Sequence, residues 1–191
     1  MDLVTSADVG SVAISRMVRD GVVTSLSLDV AAPLDLPITA QDRASCLRGV
    51  VPTHTVVSGL TGLWVHLDGF RPIVVDLAGL RGLHRAPPGS DPPGWRIRFH
   101  SGPAASEPGL SLAGVRIAAV ERCVADGLRW AGLGEAIAAA FRAVTSGSVD
   151  SDAVSALVRA TDPRGLGAMR MASAWHAIEE ALELAPPSSA S

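Results

Sequence analysis

Any catalytic or ligand-binding centre in this chain must be assembled from five histidines (His54, His66, His84, His100 and His176), two cysteines (Cys46 and Cys123), its carboxylates and its arginines. No two histidines stand four apart or in an H-x-H pair, and the cysteines lack C-x-x-C spacing, so no metal ligand set is written locally. His66 with Asp68 and Asp76 is the one group close enough in sequence to suggest acid-base chemistry, as in a small hydrolase, if the fold brings the three together. Ordinary surface and core roles are the competing reading. Ser58 precedes Gly59, but a nucleophile elbow needs a glycine two residues before the serine, and Val56 stands there. Gly132-Leu133-Gly134 opens a helix at Glu135 much as a dinucleotide-binding turn does. No strand precedes it, however, the third glycine is missing, and a carboxylate at the helix start repels phosphate, so it reads as a helix-helix turn. All 16 basic residues are arginine. Without lysine there is no P-loop lysine, no Schiff base and no kinase-type ATP contact, and no cofactor is expected.

The arginines themselves suit recognition. Arg16 and Arg19 lie three apart on a candidate helix with Ser15 beside them, a spacing that presents them together to DNA phosphates. Asp2, Asp8 and Asp20 surround them, and a solvated helix face is the plain alternative. Arg96 and Arg98 alternate with Trp95, Ile97 and Phe99, which places the arginines, with His100, on the outer side of a strand. Arg81 and Arg85 precede or enter a proline-rich loop, His84 to Gly94. The four arginines are therefore expected to form a positive partner-binding patch for an acidic protein face or a nucleic acid. The alternative partner face is the acidic helix around Glu179, Glu180 and Glu183. The net charge is -3, with nine Arg against nine Asp in residues 1–100 and seven Arg against ten acids beyond. Nucleic-acid contact, if made, must be local.

The elements that would position these residues follow from pattern. At 191 residues, 48% apolar and 18% charged, the chain has material for one core or for two linked units. No apolar run approaches the roughly 18 residues of a membrane span, and Met1 to Asp8 lacks the basic start of a signal peptide. A cytoplasmic protein with no membrane partner is expected. One or two short helices fit residues 5 to 21, ending at Gly21, and Val22 to Val30 alternates as a half-buried strand. Pro33 and Pro37 place a boundary near residue 37. Thr39 caps a helix over Ala40 to Arg48, Thr55 to Val57 is a short apolar segment, Ser58 to Val65 is helical, and Ile73 to Leu77 and Trp95 to His100 are strands. Ser101 to Gly109 reads as a surface loop. From Val115 the spacing turns helical, with Ile117, Val124, Leu128, Ile137, Phe141, Leu157, Trp175 and Ile178 expected inside. Asp162-Pro163 reads as a helix start. The expected class is α+β: a front segment 1–37, a mixed-sheet domain 38–185 that is helical from about 115, and a disordered tail 186–191.

Three stretches together resemble one family. Val4 to Val9 with Ile14 to Val23 is similar to the small winged-helix segment at the front of AbiEi-type antitoxins. Val56-Val-Ser-Gly-Leu-Thr-Gly-Leu-Trp64 is similar to their central serine-bearing helix start. Val115 to Asp126 resembles their strand-to-helix passage, with an arginine at Arg122 and an aspartate at Asp126, followed by alanine-rich helices and a Ser-Val-Asp turn at Ser148 to Asp150. The resemblance implies the antitoxin half of a type IV toxin-antitoxin pair: a front segment that binds the operon's own promoter and a following domain that restrains a nucleotidyltransferase toxin. Here the front segment is a shortened, degenerate winged helix without a full first helix, and residues 1–50 carry four Arg against six Asp. A stand-alone winged-helix repressor is the nearest alternative. Arg122 and Asp126, four apart on one helix, are expected to be structural, pairing along its surface or tying it to the preceding strand.

Overall fold

The structure is a computed structural model and describes residues 3–27, 29–69, 71–80 and 95–184. Its front segment runs β1 (Val4–Thr5), α1 (Ser6–Val9), α2 (Ser11–Arg19), β2 (Val23–Ser25) and β3 (Val30–Pro33). The three strands form an antiparallel sheet in the order β1-β3-β2. Gly10, at φ +84°, separates the two helices with a backbone geometry that side-chain-bearing residues rarely adopt. Ile14 is the buried residue of α2 and packs on Val23 and Ala31. The alternating run Val22 to Val30 is therefore two strands and not one. The Val30 carbonyl accepts the amides of both Leu26 and Ser27 and reverses the chain there.

The rest of the chain comprises α3 (Ala40–Ser45), β4 (Val56–Val57), α4 (Gly59–Leu67), β5 (Val74–Gly79), β6 (Arg96–Ser101), a 3₁₀ turn (Pro103–Ala105), β7 (Gly109–Leu112) and β8 (Val115–Ala118). Four helices follow: α5 (Val120–Trp130), α6 (Leu133–Thr145), α7 (Ser151–Ala160) and α8 (Ala168–Leu184). The fold is α+β, with a five-stranded mixed sheet in the order β6-β5-β4-β8-β7. β4 lies antiparallel to β5 and parallel to β8, and β5 and β6 are parallel.

Because successive strand residues point to opposite faces, each central strand feeds two cores. Val57, Leu77 and Ile117 join Leu47, Trp64, Val75 and Trp95 on one side. Val56, Ala78 and Ala118 join Val124, Leu128, Met171, Trp175 and Ile178 on the other. Leu26 and Ala32 of the front segment also enter the first of these cores. Thr39 caps α3 as its sequence suggests: its hydroxyl accepts the Asp42 amide at 3.2 Å, and Asp42 returns a carboxylate to the Thr39 amide at 2.9 Å.

Three expectations are corrected. Val115 to Ala118 is a strand, so helix begins at Val120 and Ile117 is buried as a strand residue. Ile137, Phe141 and Leu157 are only partly buried, while Val124, Leu128, Trp175 and Ile178 are buried as expected. Asp162-Pro163 starts no helix. The Asp162 carboxylate takes the Arg164 amide and its carbonyl the Gly165 amide, a tight turn, and α8 begins at Ala168 after Gly167 at φ +76°. The stretch Ser101 to Gly109 is also more ordered than a plain loop, holding the 3₁₀ turn with Ala104 buried. The loop His84 to Gly94 and the tail 186–191 lie outside the described residues. No helix among the described residues is long and apolar enough to cross a membrane.

Candidate functional site

The polar centre of the molecule forms where α4 starts. Ser58 donates its amide to the Asp76 carbonyl at 3.1 Å, and its hydroxyl reaches across to α5 and donates to Asp126 Oδ2 at 2.7 Å. Gly59, at φ +59°, has a backbone that side-chain-bearing residues rarely adopt, and it sits beside Asp76 and Trp130. Thr61 Oγ1 accepts the Asp76 amide at 3.1 Å and donates to the Val74 carbonyl at 3.0 Å, which fixes the edge of β5. Asp76 is 1% exposed. Its carboxylate accepts Arg98 Nε at 2.8 Å and Nη2 at 3.2 Å, and it lies 2.8 Å from His100 Nε2, which carries the proton toward it. The His100 ring stacks flat on Trp130, with centroids 3.9 Å apart.

Asp126 is also 1% exposed. Burial pushes its carboxyl up to about 6, against the opposing pull of the Ser58 hydroxyl and of the Arg122 and Arg129 charges. The Cys123 thiol beside it is raised by burial and then by the Asp126 charge, so it is held as an inert neutral thiol. Arg122 turns to Glu107 in a two-bonded pair, 2.8 and 2.6 Å. Arg122 and Asp126 thus do not pair along a helix surface. Both are buried, and each ties α5 to a different part of the chain, since seven consecutive residues of α5 from Arg122 to Leu128 are enclosed.

These groups bind one another. Ser58 has 0% exposure, and its hydroxyl is bonded to Asp126. The hydrolase triplet does not meet as a unit: His66 Nε2 meets the Ala118 carbonyl at 2.8 Å, while Asp68, facing Arg43 at 3.6 Å, and Asp76, held by Arg98 and His100, line a common cleft without it. Among the described residues no group of three His, Cys, Asp or Glu side chains is placed to hold a metal ion.

The residues expected to serve recognition divide. On α2, Val12, Ser15, Arg16 and Arg19 form one exposed stripe at helical spacing. The Ser15 hydroxyl donates to the Ser11 carbonyl, and Arg19 makes a solvated contact with Asp20 at 3.4 Å. Arg96 is exposed at the start of β6. Arg98 sits on the same strand face, but its guanidinium is committed to Asp76, and reversing its charge would set two carboxylates together. The expected outer strand face is in part an inner one, since Arg98 pairs there with the buried Asp76 and His100 stacks on Trp130. Arg81 and Arg85 lie outside the described residues.

A cleft of about 680 Å³ opens between α4, α6 and the starts of β5 and β6, and Arg96, Arg98 and Arg142 line it together with Asp68, Asp76 and Glu135. Pattern reading missed Arg142, His100 as a stacked partner, and the Ser58–Asp126 bond. The last was within reach, because Ser58 and Asp126 belong to the second and third of the resembling stretches. The sequence matches no family model and no curated protein.

Proposed function

We propose that this chain is a non-catalytic regulator of the AbiEi antitoxin type: its front segment contacts DNA, and its sheet domain is the scaffold through which it counters a nucleotidyltransferase toxin. The observation that carries the reading is the layout of the front segment. A strand, two short helices divided at Gly10, and a two-stranded ribbon whose last strand pairs with the first follow the order of a winged helix that lacks its first helix. Its second helix leaves Val12, Ser15, Arg16 and Arg19 uncovered, where a recognition helix needs them. The Ser58–Asp126 bond adds support, since it joins two of the three stretches on which the resemblance rests. The commitment of Ser58, Asp76 and Asp126 to internal partners favours a scaffold over an enzyme.

Two measurements test the reading. Co-expression with a cognate nucleotidyltransferase toxin should restore the growth that the toxin alone arrests. Failure to do so, with DNA binding intact, would leave a stand-alone repressor. In gel shifts with its own upstream DNA, contacts limited to Arg16 and Arg19 should give a log affinity against log salt slope of about -2 per protomer, each phosphate contributing roughly -0.9. Arg16→Gln with Arg19→Gln should abolish the shift. A slope near -6 would place the binding face elsewhere.

A further inference from the structure

The cleft beside α6 has the build of a ligand site that the proposed scaffold role does not use. Its body is apolar, formed by Leu60, Leu63, Ile73, Ala138 and Ala139. Its size, about 680 Å³, falls in the range of small-molecule sites, roughly 300 to 1,000 Å³, and not of a long protein groove. Ile73 is 65% exposed and adds to the apolar wall of the cleft.

The charges that line the cleft sort themselves. Asp68 faces Arg43, and Asp76 is held by Arg98 and His100. Arg96, Arg142 and Glu135 remain, and none of these three has an ion pair or a side-chain hydrogen bond among the described residues. The exposed Arg142 extends its guanidinium over Gly69, where an added Cβ would come within 3.1 Å of it. Two guanidiniums against one carboxylate leave one uncompensated positive charge beside an apolar wall.

We infer that the cleft binds a small organic acid of single negative charge, its apolar body on Leu60, Ile73 and Ala139 and its carboxylate drawn to Arg96 and Arg142. A planar guanidinium offers a carboxylate two parallel hydrogen bonds, which makes arginine the fitting residue for this class. A dianion is disfavoured by Glu135, and a neutral ligand leaves the two guanidiniums unanswered. In a regulator, such a site would make partner or DNA binding respond to a metabolite.

Titration calorimetry of the full chain with 2-naphthoate, and with 2-naphthol as its uncharged counterpart, tests this. Saturable binding of one naphthoate per chain is expected, at least about tenfold tighter than the naphthol. Ala138→Trp, which fills the cleft from an exposed helix position, should weaken naphthoate about tenfold or more, as should Arg96→Gln combined with Arg142→Gln. Arg159→Gln, an exposed arginine on α7, should leave it unchanged, and unaltered thermal melts should accompany every variant. Absence of saturable binding, equal affinity for the naphthol, or undiminished binding in both the filled and the neutralised variants would overturn the assignment. The first of these results is the one a cleft reserved for a polypeptide would give.

Discussion

Trp175→Ala is expected to lower the unfolding free energy by about 3 to 5 kcal/mol, the cost of emptying a large buried aromatic site. The side chain is 2% exposed in the core under the helical half of the molecule. Its indole N–H donates to Ser155 Oγ and to Glu179 Oε1, both at 2.8 Å, and the Ser155 hydroxyl in turn donates to Glu179. Removing the ring therefore opens a void and strips a donor from two polar groups at the α7–α8 contact. Trp175→Phe separates the two effects: it keeps most of the volume and should cost only the hydrogen-bond share, about 1 to 3 kcal/mol. Urea unfolding of the three proteins checks both, and a midpoint unmoved by the alanine would take Trp175 out of the core.

The second large effect depends on pH. Asp126 holds its proton up to about 6 in the folded chain, against an ordinary 3.8. Between those values the folded state keeps a proton that the unfolded state has released. Its contribution to stability is fully present below pH 3.8 and is lost as pH rises through 6. Across the whole window the loss amounts to about 3 kcal/mol. Asp126→Asn carries no such titration and can still accept the Ser58 hydroxyl. The stability of the parent minus that of Asp126→Asn should therefore fall by about this amount from below pH 4 to above pH 7. The difference cancels groups that act the other way. Asp42, for one, feels burial pushing its carboxyl up but is held below its usual range by its bonds to Thr39. A pH-independent difference would show that folding leaves the Asp126 carboxyl at its ordinary value. If Asp126→Asn abolished toxin neutralisation at unchanged stability, the structural role assigned to Asp126 would be wrong.

Local signals were legible where an element carries its own period or cap. Thr39 with Asp42, the apolar run after Ser58, and the alternation from Trp95 to His100 all yield elements close to those seen. The α+β class follows from them. The miss at Val115 to Ala118 has a simple cause: four residues of a buried strand followed by an alanine-rich helix give no period that tells one from the other. At Val22 to Val30 the side-chain alternation is real, but nothing in it announces the reversal inside the run.

The candidate site was less legible, because its bonds span long separations in sequence. Ser58 and Asp126 are 68 residues apart. Arg98 exposes a different limit. Alternation fixes the side of the sheet from which Arg98 leaves, but not that Asp76, its register partner on β5 and 22 residues away, leaves from that same side and is buried there. The cleft likewise depends on Arg142, whose position on α6 carries no signal that it will face Arg96 across a gap.

The sheet order β6-β5-β4-β8-β7 sets a condition on how the protein can be made. β4 has two residues, and its flank opposite β5 is closed by β8, in the register Val57 to Ile117. During synthesis the first half of the chain emerges with that flank unpaired and with Val56 and Val57 uncovered. The sheet can be completed only after residue 118 has cleared the ribosome, and the second core only after α8. A nascent chain stalled between residues 80 and 115 would thus present an open strand edge, the kind of surface that trigger factors and holdases bind.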